Sequence, residues 1–592
     1  MKWTGIVVSA LVFGSACAPA AVSNPAGEAA PPTGWSERTL NDLDLRRKVA
    51  QLVFPRISGD YLAEGTPQHE RLRQWVQELG VGGVIITIGP PLEQAMKLNM
   101  IQDMATIPLL VTADMERGPG QILRGGTILP YGLETGEATT FPPLMAFGAA
   151  GDERLAWELG RVTALEARAA GVHVNFGPVV DVNNNPANPI INVRSFGSDP
   201  ALVSRMAVAY IRGAQDHGLL ATVKHFPGHG DTQTDSHISL PTITVNRARA
   251  DSIELPPYRA AFDAGVAAVM SAHIAFPALS PDSVPATLNP ALLTGLLRDE
   301  LRFAGITFTD ALDMGAIMNT WGASRGAVMA MVAGADVILQ PLPNDVQTVI
   351  DAVVAAVQGG ELSEARIDQS LRRLLAAKER LGLHRGARVD LEKIPSVLGI
   401  PAHTRLADSV AQRAMTLVRD RDSQVPLRTG QRVLSVVYTD EHDPWTGRTF
   451  QRELGGLVPA LRTASLNDQS SAAEFAAVRA QLDSVDVVLI SPFIRVRHNR
   501  GTMAMNETFA TWIRETAASK PVVVTSFGSP YVLQQVPELA SYLIAWGGSD
   551  AAQRAAARAL TGRSPITGRL PIEIPPLHRI GEGLQRPLQA GR

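Results

Sequence analysis

Between about residues 40 and 382, eight short β-branched or apolar runs recur, each followed by a longer stretch with helical periodicity. They occupy 49–54, 81–87, 108–113, 172–180, 220–224, 267–271, 306–309 and 336–340. This alternation is the mark of repeated βα units around a parallel sheet. Several runs start behind glycine, as in Leu79-Gly80-Val81-Gly82-Gly83 and Ala304-Gly305-Ile306, where a chain turns into a buried strand. Eight units predict a (β/α)8 TIM barrel, with an open doubly wound sheet as the alternative. A barrel draws its active residues from the C-terminal ends of its strands. Polar residues gather at those positions: Asp114 and Glu116 after the third run, Asp181 and Asn183 after the fourth, Lys224 and His225 at the fifth, His273 after the sixth and Asp310 after the seventh.

A chain of 592 residues exceeds what one core supports, so a second unit is expected. The composition loosens through Pro395 and Pro401, and new strand-like runs follow at 433–438, 486–490, 522–526 and 542–545, with 568–575 read as a final edge strand. The expected division is a catalytic barrel over 38–395 and a smaller α/β sandwich domain over 396–592.

The N-terminus reads as a leader. Lys2 precedes an apolar run over 5–13, too short to cross a bilayer, then Gly14-Ser15-Ala16 and Cys17, the sole cysteine. Residues 1–17 are expected to be a signal peptide and 18–37 an Ala/Pro-rich tether. The small residues before Cys17 resemble a bacterial lipobox, although Gly14 stands where leucine is usual. The expected destination is therefore the periplasm or a membrane anchored through a lipidated Cys17, and otherwise the medium. One cysteine excludes an intramolecular disulfide. A formal net charge of -3 without a long basic run argues against nucleic acid as a partner.

The densest chemistry lies in Lys224-His225-Phe226-Pro227-Gly228-His229-Gly230-Asp231-Thr232 and Asp235-Ser236-His237. Metal binding is the first reading to weigh; Lys224 would repel a cation, and no paired-histidine helical spacing is present, so neither metal nor cofactor is expected. A structural Gly/His loop is the second. The third is a catalytic lid in which Gly228 and Gly230 permit movement and Asp235 orients His237, since a carboxylate on one imidazole nitrogen fixes the tautomer a general acid needs. Phe308-Thr309-Asp310-Ala311-Leu312-Asp313 ends a strand in a carboxylate. Alone, such an aspartate is most often a helix N-cap. With an acid/base on another loop it completes a retaining glycosidase, which needs a nucleophile opposite an acid/base.

These runs resemble the β-N-acetylglucosaminidase branch of glycoside hydrolase family 3. The likeness extends through Ile191-Asn192-Val193-Arg194-Ser195-Phe196-Gly197, Val269-Met270-Ser271-Ala272-His273-Ile274 and Ala333-Gly334-Ala335-Asp336, and into the second domain at Ser526-Phe527-Gly528-Ser529-Pro530-Tyr531 and Gly568-Arg569-Leu570-Pro571. The resemblance implies Asp310 as nucleophile, with Asp313 the lesser candidate. It implies His237 as acid/base tuned by Asp235, and Asp114, Arg194, Lys224 and His225 as ligands of a terminal β-linked GlcNAc. Arg194 as a structural salt bridge and His273 as a satisfied strand-end histidine are the competing readings. One departure stands out. The family reads Asp-x-Glu-Gly-Gly followed by an arginine-containing stretch, whereas here Arg117 replaces the first glycine and the next arginine is displaced to Arg124. Either arginine, or neither, takes over the displaced role.

The expected activity is hydrolysis of terminal β-GlcNAc from cell-wall fragments or chitooligosaccharides through a glycosyl-Asp intermediate. Phosphorolysis by the same residues is the close rival, because an imidazole acid/base leaves less negative charge against phosphate than a glutamate would. A non-catalytic carbohydrate-binding lipoprotein is the rival from another class.

Overall fold

The computed structural model describes residues 34–589, apart from 126, 129–133, 281, 341–345, 441–442 and 497–500. The expected leader, Cys17 and most of the tether lie outside the described residues. The last part of the expected tether is not a tether. A helix, Trp35–Asp42, starts there. Its first turn is tied to the barrel by Glu379, whose carboxylate accepts from Trp35 N (2.9 Å) and Ser36 Oγ (2.6 Å), while Trp35 stacks on His384 at 5.4 Å. An acid at a helix N-terminus satisfies amides that have no partner within the helix.

All eight predicted runs overlap a strand: β1 (Val53–Ile57), β2 (Gly83–Ile86), β3 (Leu110–Ala113), β4 (Val174–Asn175), β5 (Leu220–Phe226), β6 (Ala268–Ser271), β7 (Ile306–Phe308) and β8 (Ile338–Gln340). The first run was placed too early, since Val49 and Ala50 finish the helix Leu45–Ala50 that Asp44 caps through Arg47 N. The strands pair in parallel in the order β8-β1-β2-β3-β4-β5-β6-β7. A parallel bridge from Phe308 to Val337 then joins β7 to β8 and closes the ring. The open-sheet alternative is thereby excluded. Phe54, Phe176 and Phe308 pack edge to face in the interior, at 6.1 and 5.2 Å, so the centre is filled by side chains and does not form a pore.

Closure rests on one carboxylate. Asp336, wholly buried at the entry to β8, accepts from Arg298 Nη2 (2.7 Å), Arg373 Nη1 (2.9 Å), Ser370 Oγ (2.7 Å) and Thr307 N (3.0 Å), and Arg366 lies 3.4 Å away. Burial alone would raise its pKa; the three guanidinium groups outweigh that and hold it below the ordinary value.

The second domain is a six-stranded sheet of β9 (Thr416–Asp420), β10 (Val433–Thr439), β11 (Leu461–Asn467), β12 (Val487–Phe493), β13 (Val522–Ser526) and β14 (Ser541–Ile544), ordered β9-β14-β13-β12-β10-β11. Only the β9–β14 pair is antiparallel. Helices such as Arg448–Leu457, Glu507–Ser519 and Asp550–Leu560 cover the sheet, giving the layered α/β domain expected. The run 568–575 is not an edge strand. Pro571 and Pro575 remove ladder donors, and the remaining backbone groups bond elsewhere. Gly568 N donates to Met415 O (3.0 Å), Arg569 N to Ala149 O (3.1 Å), and Pro571 O accepts from Ser198 N (3.0 Å), so the segment straps the second domain onto the barrel.

Replacing Asp336 by alanine leaves three part-buried arginines without their shared carboxylate, and should lower stability by about 2–4 kcal/mol. Denaturant unfolding of the variant checks this, and an unchanged midpoint would remove Asp336 from the closure of the ring.

Candidate active site

A cavity of about 1270 Å³ opens at the C-terminal ends of the barrel strands, bordered on its outer side by Phe493, Phe527, Gly528 and Trp546 of the second domain. Its floor is a chain of alternating charges. Lys224, at the end of β5, donates from Nζ to Asp114 Oδ1 (2.7 Å) and lies 2.9 Å from Glu116 Oε1. Glu116 in turn receives a two-pronged contact from Arg194, Nη2 to Oε1 at 2.6 Å and Nε to Oε2 at 2.9 Å. Burial pushes the Glu116 carboxyl up, but Arg194 and Lys224 outweigh it and hold the pKa well below the carboxylate range; Arg194 and Lys224 are both raised in return. The lysine side chain is 3% exposed and that of Asp114 51%, so Asp114 presents an oxygen to the cavity while Lys224 anchors it. His225 is aimed by Asp181, whose Oδ2 is 2.7 Å from Nδ1 and whose Oδ1 also accepts from His229 N (2.6 Å).

The loop after β5 carries Asp235 and His237. Asp235 Oδ1 receives both His237 N (2.9 Å) and His237 Nδ1 (2.8 Å), so the proton is placed on Nδ1. The Asp235 side chain is wholly buried and that of His237 is 24% exposed, on the cavity wall. Gly230 serves close packing in this loop. Gly230 lies so close to Val182 that an added Cβ would fall 1.8 Å from its carbonyl oxygen. Asn188 Nδ2 then clamps the carbonyls of His229 (2.8 Å) and Gly230 (3.0 Å), and His229 is held between Thr232 and Ser236.

This loop docks on the segment that carries Asp310. Gly315 N donates to His237 O (3.1 Å) and Ala316 N to Ser236 O (3.2 Å). Asp310 itself accepts from Ala311 N (2.7 Å) and does not cap the next helix, Gly315–Met318, which starts behind Met314. Burial would raise Asp310, but the surrounding His273, His225 and His237 rings and the Ala311 N–H hold it at about 2. Asp313, also on the wall, moves the other way, raised by burial despite Arg56. His273 has both ring nitrogens engaged, Nδ1 with Thr287 Oγ1 (2.8 Å) and Nε2 with Ala311 O (2.9 Å), and burial lowers its pKa.

Residues 44–377 match the glycosyl hydrolase family 3 N-terminal domain and 415–579 its C-terminal domain. The chain belongs to glycosyl hydrolase family 3. It is 29% identical over 559 residues to a β-N-acetylglucosaminidase/β-glucosidase of Cellulomonas fimi, covering 91% of this chain and 95% of that one. The solved structure of a glycoside hydrolase family 3 β-N-acetylglucosaminidase from Paenibacillus sp. str. FPU-7 is 34% identical, with a TM-score of 0.79, over 90% of this chain and 99% of that one. A β-glucoside phosphorylase bound to 2FGlc is 25% identical, with a TM-score of 0.80, over 91% and 96% of the two chains. This family 3 member is a glycoside hydrolase.

Of the residues singled out from sequence, Asp114, Arg194, Lys224, His225, His237 and Asp310 all line the one cavity, with Asp235 directly behind His237. Arg194 does form the salt bridge considered for it, and reaches the cavity as well. Two residues had been given no role. Glu116 organises Arg194 and Lys224, and Asp181 aims His225; their position at strand ends, beside residues already chosen, was the available signal. Of the wall supplied by the second domain, Phe527 and Gly528 lie in the run Ser526-Phe527-Gly528-Ser529-Pro530-Tyr531 already noted, whereas Phe493 and Trp546 stand in no motif read from the sequence.

Gly315→Ala should separate the two loops, because its Cβ would lie 2.5 Å from Ile238 O and 2.7 Å from His237 O. The expected result is a drop in kcat of about tenfold or more with little change in fold, since a misplacement of order 1 Å can cost that much; wild-type kcat in a folded variant would refute the docking argument.

Proposed function

We propose that the protein is a retaining exo-β-N-acetylglucosaminidase. The observation that carries this reading is the Asp235–His237 dyad packed against the Asp310 segment, at the wall of a cavity whose floor is polar, fixed and buried. A terminal GlcNAc would sit on that floor. Asp114 accepts from sugar hydroxyls, and Lys224, Arg194 and His225 donate or orient. Asp310, kept ionised by its surroundings, attacks the anomeric carbon as the glycosidic C–O bond breaks. His237 enters as the imidazolium and gives its Nε2 proton to the departing oxygen, while Asp235 holds the Nδ1 proton and stabilises the charged ring; the attacking water later returns a proton to Nε2. Water activated by neutral His237 then attacks the anomeric carbon, the bond to Asp310 breaks, and β-GlcNAc leaves. The acetamidoglucose preference is further supported by the relatives from Cellulomonas fimi and Paenibacillus, whose names carry that activity.

A second reading, phosphorolysis, has its own support. The acid/base is an imidazole, neutral when it receives the acceptor, and a structural relative is a β-glucoside phosphorylase. Export is also our proposal, resting on the leader pattern before Cys17. It directs the activity to wall fragments or chitooligosaccharides outside the inner membrane.

Release of p-nitrophenol from its β-GlcNAc and β-glucose derivatives tests the reading, with Asp310→Ala and His237→Ala alongside. The expected result is turnover of the GlcNAc derivative, reduced at least about 10⁴-fold in Asp310→Ala. Because p-nitrophenol leaves without acid help, His237→Ala should slow the second step more than the first. Turnover of the glucose derivative alone, or full activity in Asp310→Ala, would contradict it.

A further inference from the structure

One buried carboxylate takes no part in the proposed reaction, yet it meets both halves of the molecule. Glu166 lies in the last turn of the helix Glu153–Ala169 on the outside of the barrel, and its side chain is wholly buried. A carboxylate withdrawn from water is costly unless donors surround it. Its Oε2 accepts from Thr139 N (2.7 Å), and its Oε1 from Thr139 Oγ1 (2.7 Å), Gly399 N (3.1 Å) and His403 Nδ1 (2.6 Å). Two of these donors belong to the segment 137–141 beside the cavity. The other two belong to the crossing between the domains, where Gly399 precedes the helix Pro401–Ala414.

Each side leads to the cavity through direct contacts. On the barrel side, Glu137, Ala138, Thr139 and Thr140 line it. Their segment is laddered onto the turn that follows Glu116: Gly120 N donates to Thr139 O (3.0 Å), Ala138 N to Leu123 O (3.1 Å) and Phe141 N to Arg117 O (2.9 Å). On the other side, the helix Pro401–Ala414 brings Thr404 and Ala407 to the cavity and pairs Asp408 with Arg554 (2.6 Å). Its end offers Ala414 O to Trp546 Nε1 (2.8 Å). Arg554 and Trp546 are themselves cavity residues. The two sides are also pressed together, since Gly399 has a φ of 59° and a Cβ there would fall 2.1 Å from Glu137 O. At its opposite end the Glu153–Ala169 helix is followed back to Asp152, which pairs with Arg413 (2.9 Å); both are partly exposed, and such pairs are worth little. The buried end, at Glu166, is therefore the strong one.

We propose that Glu166 is a positioning residue that couples the interdomain junction to the cavity wall. One oxygen, Oε1, is shared by Thr139 Oγ1, Gly399 N and His403 Nδ1. Loss of the donor from the second domain lets the carboxylate turn, and the wall segment loosens with it. Glu166 does not line the cavity, so in the proposed reaction it acts through the wall and on substrate binding. Asp310 and the Asp235–His237 dyad keep their own supports. The kinetic part of the proposal rests on the glycosidase reading above; the coupling itself does not.

Hydrogen exchange on the full chain tests the coupling whatever the protein cleaves. In His403→Leu, which removes the donor on the second-domain side, peptides covering 137–141 should exchange about tenfold faster, together with those covering 399–403. His403→Asn, whose amide restores a donor near the place of Nδ1, should return both segments toward wild type. Thr139→Val, which removes the hydroxyl on the barrel side, should loosen 399–403 in turn, and it carries the test if His403→Leu fails to fold. Strands β5 and β7 should exchange as in wild type throughout. Faster exchange confined to the mutated side overturns the proposal. So does a rise spread evenly over the chain, which reports a general loss of stability. Kinetics with a β-linked GlcNAc disaccharide then tests the role in the reaction. His403→Leu should raise KM about fivefold or more with kcat within about twofold of wild type, and His403→Asn should restore KM. An unchanged KM in an active His403→Leu, or a fall in kcat alone, overturns that role. Should wild type cleave no β-GlcNAc substrate, the glycosidase reading fails by itself, and the exchange result still decides the coupling.

Discussion

A carboxylate withdrawn from water tends to take up a proton, and a protonated Asp310 could not play the nucleophile's part proposed for it. What keeps it ionised is its surroundings: an amide from the next residue and three imidazoles at the strand ends. That requirement reaches far into the structure. His273 must be fixed between Thr287 and the Ala311 carbonyl, His225 must be held by Asp181, and His237 must be held by Asp235. Each histidine comes from a different strand or loop, so the barrel has to be closed and in register before the carboxylate has its environment. The arginine cage around Asp336, remote from the chemistry, serves that closure.

The same logic governs the floor. Lys224, Glu116 and Arg194 are buried ions, and each alone would be expensive to desolvate. Linked as an alternating chain they satisfy one another and leave Asp114 facing the cavity. Rigid polar groups of this kind lose little freedom on binding a ligand, so in the proposed function recognition at the floor would fix the place of the anomeric carbon. The second domain contributes differently. It lines the cavity with Phe493, Phe527, Trp546 and Arg495, and it is strapped to the barrel by the segment following Gly568.

Much of this was legible in the sequence because a parallel barrel writes itself as short apolar runs ending in polar residues. All eight runs overlap strands, and the residues chosen at their ends converge on one cavity. The misreadings have physical causes. Val49 is apolar on a buried helical face as readily as in a strand, so periodicity over so few residues does not separate the two. The stretch after Gly568 looks β-like, yet its prolines and its bonds to both domains make it a strap. The close contact of Gly230 with Val182, which only a residue without a side chain permits, is a tertiary fact with no local signature. Strands β9 and β11 went unread because Thr416–Asp420 carries charge and Leu461–Asn467 is an exposed edge, neither matching the apolar pattern that marked the others.

The central claim is that Asp310 becomes covalently attached to the sugar. A 5-fluoro-β-GlcNAc fluoride tests it directly, since the ring fluorine slows both steps while the fluoride leaving group lets the first proceed. The account predicts time-dependent inactivation and a mass increase of one fluorosugar on the peptide bearing Asp310, absent in Asp310→Ala. Label on Asp313 instead, or steady turnover with no trapped adduct while Asp310→Ala remains active, would contradict it.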